Sequence, residues 1–247
     1  MSLDLERFRV GALPSLYYIP EAIGAEEEQR LLREIHASKQ AWKVVSGRRL
    51  QNLGGIVHKK GLVAAPLPSW LQPLLARLAG ETGIWGGEPG APLLPNHVLI
   101  NAYQPGEGIM PHTDGPLYHP AVAILSLGNP AVVRFARKRT EDAATAAAEE
   151  AATAAVPAEG APPHHQLAGQ LVASVACMPR SLLIFRDEAY SGCLHGILEA
   201  QVESIDGSVV NAAAAGLVVG QGLLRSSERI SLTVRRVLHT YSLGIRL

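Results

Sequence analysis

Asn96-His97-Val98-Leu99-Ile100-Asn101-Ala102-Tyr103-Gln104-Pro105-Gly106-Glu107-Gly108-Ile109-Met110-Pro111-His112-Thr113-Asp114 is the stretch on which the fold turns. Its first eight residues read as a strand with Asn101 and Tyr103 on one face, and Pro105 to Gly108 supply a turn that leads straight to His112. From Asn96 onward the chain breaks into short β-rich runs at 96–104, 121–128, 131–136, 170–177, 180–186, 193–198 and 228–240, separated by Gly, Pro and Asn. That pattern fits a mainly β, α+β chain built on a double-stranded β-helix, or jelly roll. Upstream, 21–38 reads as a helix with Glu26, Glu27 and Glu28 at its positive end and Leu31, Leu32 and Ile35 along one side. A second helix is expected over 68–80, with Leu71, Leu74, Leu75 and Leu78 at core spacing. Both helices are expected to buttress the sheet.

The same stretch carries chemistry. Side chains alternate faces along a strand, so His112 and Asp114 are expected to project from one pleat. Together with the distant His195 they make two imidazoles and a carboxylate, the facial triad that holds Fe(II) and leaves the opposite positions open. Farther on, Arg229-Ile230-Ser231-Leu232-Thr233-Val234-Arg235 alternates polar with apolar, placing Arg229, Ser231, Thr233 and Arg235 on one strand face. A guanidinium grips a carboxylate through two donors and stays charged, which suits the distal carboxylate of a 2-oxo acid. The Arg-x5-Arg spacing alone is weak, since Arg180 and Arg186 repeat it. The order of the elements and their shared strand parity carry the weight.

Taken in order, Asn-x-Tyr at Asn101 and Tyr103, His-x-Asp at His112 and Asp114, His195, and the arginine pair resemble the AlkB family of Fe(II)/2-oxoglutarate-dependent dioxygenases. The phrases Asp114-Gly115-Pro116-Leu117-Tyr118, Leu194-His195-Gly196-Ile197 and Ser46-Gly47-Arg48-Arg49-Leu50-Gln51-Asn52 are most similar to its sixth branch in animals and plants. The resemblance implies Fe(II) held by His112, Asp114 and His195. It also implies 2-oxoglutarate bound by Asn101, Tyr103 and Arg229, with Ser231 beside them and Arg235 near the ligating carboxylate. Ser231 departs from the pattern, because many AlkB proteins carry Asn there. The shorter donor is expected to lose one hydrogen bond to the 2-oxo acid, about 1 kcal/mol. The implied reaction couples decarboxylation of 2-oxoglutarate to succinate with oxidation of a C–H bond by dioxygen. An N-methyl group so oxidised leaves as formaldehyde.

Length and charge bound the rest. A chain of 247 residues suits a single domain with an ample core, divided into an N-terminal helical region at 1–95 and a jelly-roll core at 96–247. An insert at 139–170, rich in Ala with Glu, Thr and Pro, lacks the side chains for a core, and Ser204 to Ser227 reads as a second irregular stretch. The 22 basic and 22 acidic residues cancel, which excludes coating nucleic acid by bulk electrostatics. Local asymmetry exists, because Ile35 to Gly80 contains no Asp or Glu but holds Lys39, Lys43, Arg48, Arg49, Lys59, Lys60 and Arg77. This basic segment, 36–77, reads equally as a solvated surface or a phosphate-binding patch. The AlkB resemblance favours the patch, since in that family the region before the core forms a lid over the target nucleotide. Cys177 and Cys193 form no disulfide framework, and Cys193 reads as a structural thiol. No signal core or membrane-spanning run is evident, so an intracellular monomer, in cytoplasm and nucleus, is expected.

The substrate implied by the resemblance is an alkylated DNA or RNA base, flipped or single-stranded to reach the metal. Trp42, Arg48, Arg49 and Tyr118 are candidates for stacking on it or contacting its phosphates. One alternative keeps the chemistry on a protein substrate, as a hydroxylase or demethylase. Another is a non-catalytic jelly roll that binds nucleic acid or a protein partner.

Overall fold

The computed structural model describes residues 2–88, 90–138 and 169–241, so the expected insert at 139–170 lies almost wholly outside the described residues. In chain order the strands are β1 (Leu16–Ile19), β2 (Lys43–Val45), β3 (Arg48–Leu53), β4 (Gly55–His58), β5 (Gly61–Ala64), β6 (Gly87–Glu88), β7 (Ala91–Pro92), β8 (His97–Tyr103) and β9 (Ile109–His112). Then follow β10 (Ala121–Leu127), β11 (Ala131–Arg137), β12 (Leu171–Cys177), β13 (Leu182–Arg186), β14 (Cys193–Ile197), β15 (Val202–Ser204), β16 (Gly222–Leu224), β17 (Arg229–Arg235) and β18 (Thr240–Tyr241). A seven-stranded sheet runs β1-β13-β10-β17-β8-β3-β2, and a four-stranded sheet runs β12-β11-β14-β9. Their antiparallel strands are the two walls of the jelly roll.

Parity decides which side chains go where. On β17, Ile230, Leu232 and Val234 join Val98, Ile100 and Ala102 of β8 and Ala123 and Leu125 of β10 on the outer face of the large sheet. Two helices cover that face, α1 (Ala25–Ala37) through Leu31 and Ile35, and α2 (Gln72–Thr82) through Leu74, Leu75 and Leu78. Each such side chain, fully buried, contributes about 2 kcal/mol. α2 starts at Gln72 rather than at 68, with Pro73 in its first turn, where the missing N–H is not needed. Its end is set by Gly83, whose φ of 60° is the left-handed conformation glycine tolerates best. The inner face of the large sheet packs on the small one through Tyr18, Val122, Ile124, Val133, Phe135, Val175, Leu183 and Phe185. Cys193 is buried in this layer, as a structural thiol should be.

Several boundaries differ from the sequence reading for visible reasons. The run expected at 228–240 ends as a strand at Arg235, because the Asn96 side chain takes over the pairing: its Oδ1 accepts from Val237 N at 2.7 Å and its Nδ2 donates to Val237 O at 3.0 Å. The chain then turns, and β18 pairs parallel with β5. The run expected from 180 begins at Leu182, since Arg180 sits at a φ of 66°. Ser204 to Ser227 is not shapeless. It carries most of the β15–β16 hairpin and lays Ile205, Val209, Ala212 and Leu223 over Val132 and Ala176. β1 and β3, within stretches not read as strands, are both part of the large sheet. Among the described residues no helix is long and apolar enough to cross a membrane.

Candidate active site

β9 and β14 are neighbours in the small sheet, and their register places His112 opposite His195. The two rings lie 4.4 Å apart between centroids. Asp114 joins them by a different route from the shared pleat expected, because β9 stops at His112 and Asp114 lies in the following segment. Arg235 holds it there, with Nη1 donating to Oδ1 at 2.5 Å. The other carboxylate oxygen, Oδ2, faces His195 Nε2 at 3.7 Å and, although buried, has no hydrogen-bond partner among the described residues. One ligand atom from each of the three residues falls within 4.8 Å of the others.

Protonation suits a metal. His112 Nδ1 lies 2.8 Å from the Met110 carbonyl, so Nδ1 carries the hydrogen and the Nε2 lone pair is left for the site. Burial pushes His195 down to about 3 and lowers His112 as well, so both rings are neutral at pH 7. Burial alone would raise the Asp114 carboxyl, but Arg235 and the two imidazoles offset it and hold it below its usual range. Two neutral imidazoles and an ionised carboxylate with an orphaned oxygen are the donor set that Fe(II) takes in a facial triad. The residues present fit that ion.

The facial site opens on a cavity of about 160 Å³, whose wall includes Asn101, Tyr103, Arg229, Ser231, Thr233 and Arg235. β17 supplies four of these because it sits between β8 and β10 with its polar face inward. Arg229 is 1% exposed. Its Nη2 donates to Ser126 Oγ at 2.9 Å and its guanidinium lies 5.6 Å from the Tyr103 ring centre, yet Nε and Nη1 have no partner among the described residues. Leaving two charged donors unpaired inside a protein is costly, so this guanidinium is built for an acceptor that arrives with a ligand. A carboxylate matches it. Ser231 stands opposite Asn101 on β8 and opposite Ser126 on β10. Ser126 was not singled out from sequence, although it is the one polar residue in the apolar run Ala121–Leu127.

Of the four residues expected to meet a substrate, only Arg48 lines the cavity. Tyr118 is 8% exposed and lies under Arg235, with the guanidinium 4.3 Å from its ring centre, so it steadies the Asp114 partner. Trp42 packs on the helical layer, and Arg49 lies over it at 5.1 Å while pairing with Glu228 at 2.8 Å. Neighbouring positions on β3 face opposite ways, which separates Arg48 from Arg49. The basic segment is divided likewise. Arg77 is held by Glu27 at 2.8 Å, whereas Lys39, Lys43, Lys59 and Lys60 are exposed.

The profile of the 2OG-Fe(II) oxygenase superfamily matches residues 38–235. The chain is 38% identical over 237 residues to the "Probable RNA/DNA demethylase ALKBH6" of Danio rerio, covering 95% of this chain and 91% of that one. It is 26% identical over 236 residues to the "Alkylated DNA repair protein ALKBH8 homolog" of Arabidopsis thaliana, covering 91% of this chain and 59% of that longer protein. Among solved structures, OsALKBH1 superposes with a TM-score of 0.53 at 13% identity, over 90% of this chain and 98% of that one. A 2OG-Fe(II) oxygenase family oxidoreductase from Burkholderia pseudomallei gives 0.50 at 15% identity, over 92% and 86%. At such identities the two structures speak for the fold alone, a double-stranded β-helix.

Proposed function

Because the chain belongs to the 2OG-Fe(II) oxygenase superfamily, and within it to the AlkB family, we propose that this 2-oxoglutarate-dependent dioxygenase removes alkyl groups from DNA or RNA bases. The family uses Fe(II) and 2-oxoglutarate. When bound, that pair would activate dioxygen, the oxidant, by coupling its reduction to oxidative decarboxylation of 2-oxoglutarate to succinate.

The chain's own residues bind, orient and exclude water. His112, Asp114 and His195 would hold the ion at the cavity wall. Arg229 offers the distal carboxylate of 2-oxoglutarate a buried guanidinium whose Nη1 and Nε are unpaired among the described residues, the observation that carries this assignment. Tyr103 backs that guanidinium, Ser231 and Asn101 offer polar groups along the same wall, and Arg235 keeps Asp114 ionised and aimed. The ligands line a cavity of about 160 Å³, too small to admit a duplex, so the target base enters unpaired or flipped out. The exposed Lys39, Lys43, Lys59 and Lys60 are the part of the basic segment free to meet phosphates. The name carried by the 38% identical Danio rerio protein supports a nucleic-acid substrate.

The test is formaldehyde release from methylated DNA and RNA oligonucleotides by the iron-loaded protein with 2-oxoglutarate. Formaldehyde in step with succinate is the expected result. Succinate without demethylation of any oligonucleotide, but with oxidation of a methylated peptide, would move the substrate to protein.

A further inference from the structure

Arg48 enters the cavity from outside the β8-to-β17 core of the site. It opens β3, directly after the β2–β3 turn, and lines the same wall as Asn101, His112 and Arg229. The turn is seated closely: Gly47, at a φ of +73°, lies where a Cβ would come within 2.7 Å of the Gly108 carbonyl, so only glycine lets the hairpin rest there. From that seat Arg48 Nε donates to Asn101 Oδ1 at 2.9 Å.

The bond has a directional consequence. An Nε–H group can only donate, so the amide nitrogen of Asn101 cannot occupy that place, and the carboxamide is confined to one of its two orientations. Asn101 Nδ2 is the atom that remains, and no hydrogen bond engages it among the described residues. Resting on the reading of this cavity as a 2-oxoglutarate site, we propose that Arg48 is a positioning residue for the co-substrate: by holding Asn101 Oδ1 it presents Asn101 Nδ2 as a fixed donor to an oxygen of the 2-oxo acid. Carboxylate and keto oxygens accept and do not donate, so a locked donor favours them over water or an alcohol, which adapt to either orientation. Ser231, directly opposite Asn101, offers only a short hydroxyl, which leaves more of the recognition to the amide. In this role the Nε donor of Arg48 matters and its charge does not, unlike a phosphate contact.

Two substitutions separate these properties. In Arg48→Gln, the amide nitrogen stands at the same number of bonds from the backbone as the arginine Nε, so the donor is kept and the charge removed. In Arg48→Met a methyl group takes that place. The measurement is isothermal titration calorimetry of 2-oxoglutarate into the Mn(II)-loaded full-length protein, which binds without turnover. Mn(II) stoichiometry and thermal midpoint are checked for every variant, and Arg48→Gln serves as the folding control. Arg48→Met is expected to weaken 2-oxoglutarate about tenfold and Arg48→Gln by no more than about twofold. Placed in an Asn101→Ala background, Arg48→Met should have less than about a twofold effect, because the group it acts through is gone. Equal losses for Gln and Met, an undiminished Met effect beside Asn101→Ala, or no Met effect would each overturn the proposal. A wild-type protein that failed to bind 2-oxoglutarate would overturn the reading of the cavity itself, and the proposal with it.

Discussion

Asp114 faces two ways: Oδ2 looks into the site and Oδ1 is held by Arg235, both side chains under a tenth exposed. Asp114→Ala removes a metal ligand and also strands a buried guanidinium, so the metal-free protein should lose roughly 3 kcal/mol in urea denaturation. An unchanged urea midpoint would mean that the pair is not buried as described. Arg229 is expected to behave differently. Arg229→Met should raise the KM for 2-oxoglutarate on the order of 10- to 100-fold, and Arg229→Lys should recover little of it, since a compact ammonium lacks the planar array of donors of a guanidinium. Steady-state succinate release checks both variants, and full recovery by lysine would contradict a role specific to the guanidinium. At this scale Arg229 and Arg235 were legible because charged groups sharing one strand face have few purposes there, and His112 and Asp114 from their spacing, although Asp114 lies past the end of β9. Trp42, Arg49 and Tyr118 were not, because their roles depend on partners remote in sequence, such as Glu228 for Arg49.

Among the elements, the pairing of β9 with β14 is what turns His112 and His195 toward each other, and the loop between β16 and β17 helps to hold that pairing. Arg225, 1% exposed, donates from Nη1 to Leu198 O at 3.1 Å and Ala200 O at 2.9 Å, and from Nη2 to Glu107 O at 2.6 Å. It therefore ties the segment after β14 to the turn before β9. Arg225→Met should cost about 2–4 kcal/mol and speed Fe(II) loss to a chelator, although Arg225 touches no ligand. Chelator kinetics indistinguishable from wild type would leave Arg225 only a local role. The sequence could not announce this residue, because a lone arginine in a stretch without periodicity gives no sign of the three carbonyls it will find. β17 was legible for the opposite reason, its strict alternation being what a strand with two different faces requires.

For the whole molecule, neutral buried imidazoles make stability depend on pH. His97, 2% exposed beside Tyr118, is pushed down to about 3 by burial and then by Arg235, with Asp114 opposing. A ring that resists protonation when folded gains its proton on unfolding, so its contribution is intact above pH 6.5 and is lost as the pH falls from there toward 3. The loss is about 2 kcal/mol at roughly pH 5, and His97→Gln should flatten the fall in urea midpoint between neutral and mildly acidic buffer. A slope unchanged by that substitution would place His97 in water. The jelly roll and its helical cover were legible as a whole because period and turn chemistry are local. The addition of β1 at one end of the large sheet and of β3 beside β8 was not, being set by distant packing.

The chemistry of this site depends on three side chains sharing one ion. The direct measurement is Fe(II) bound per chain under anaerobic conditions, for the wild type and for His195→Ala. One ion per wild-type chain and nearly none in the variant is the expected result, whereas equal iron in both would mean that the three side chains do not share an ion.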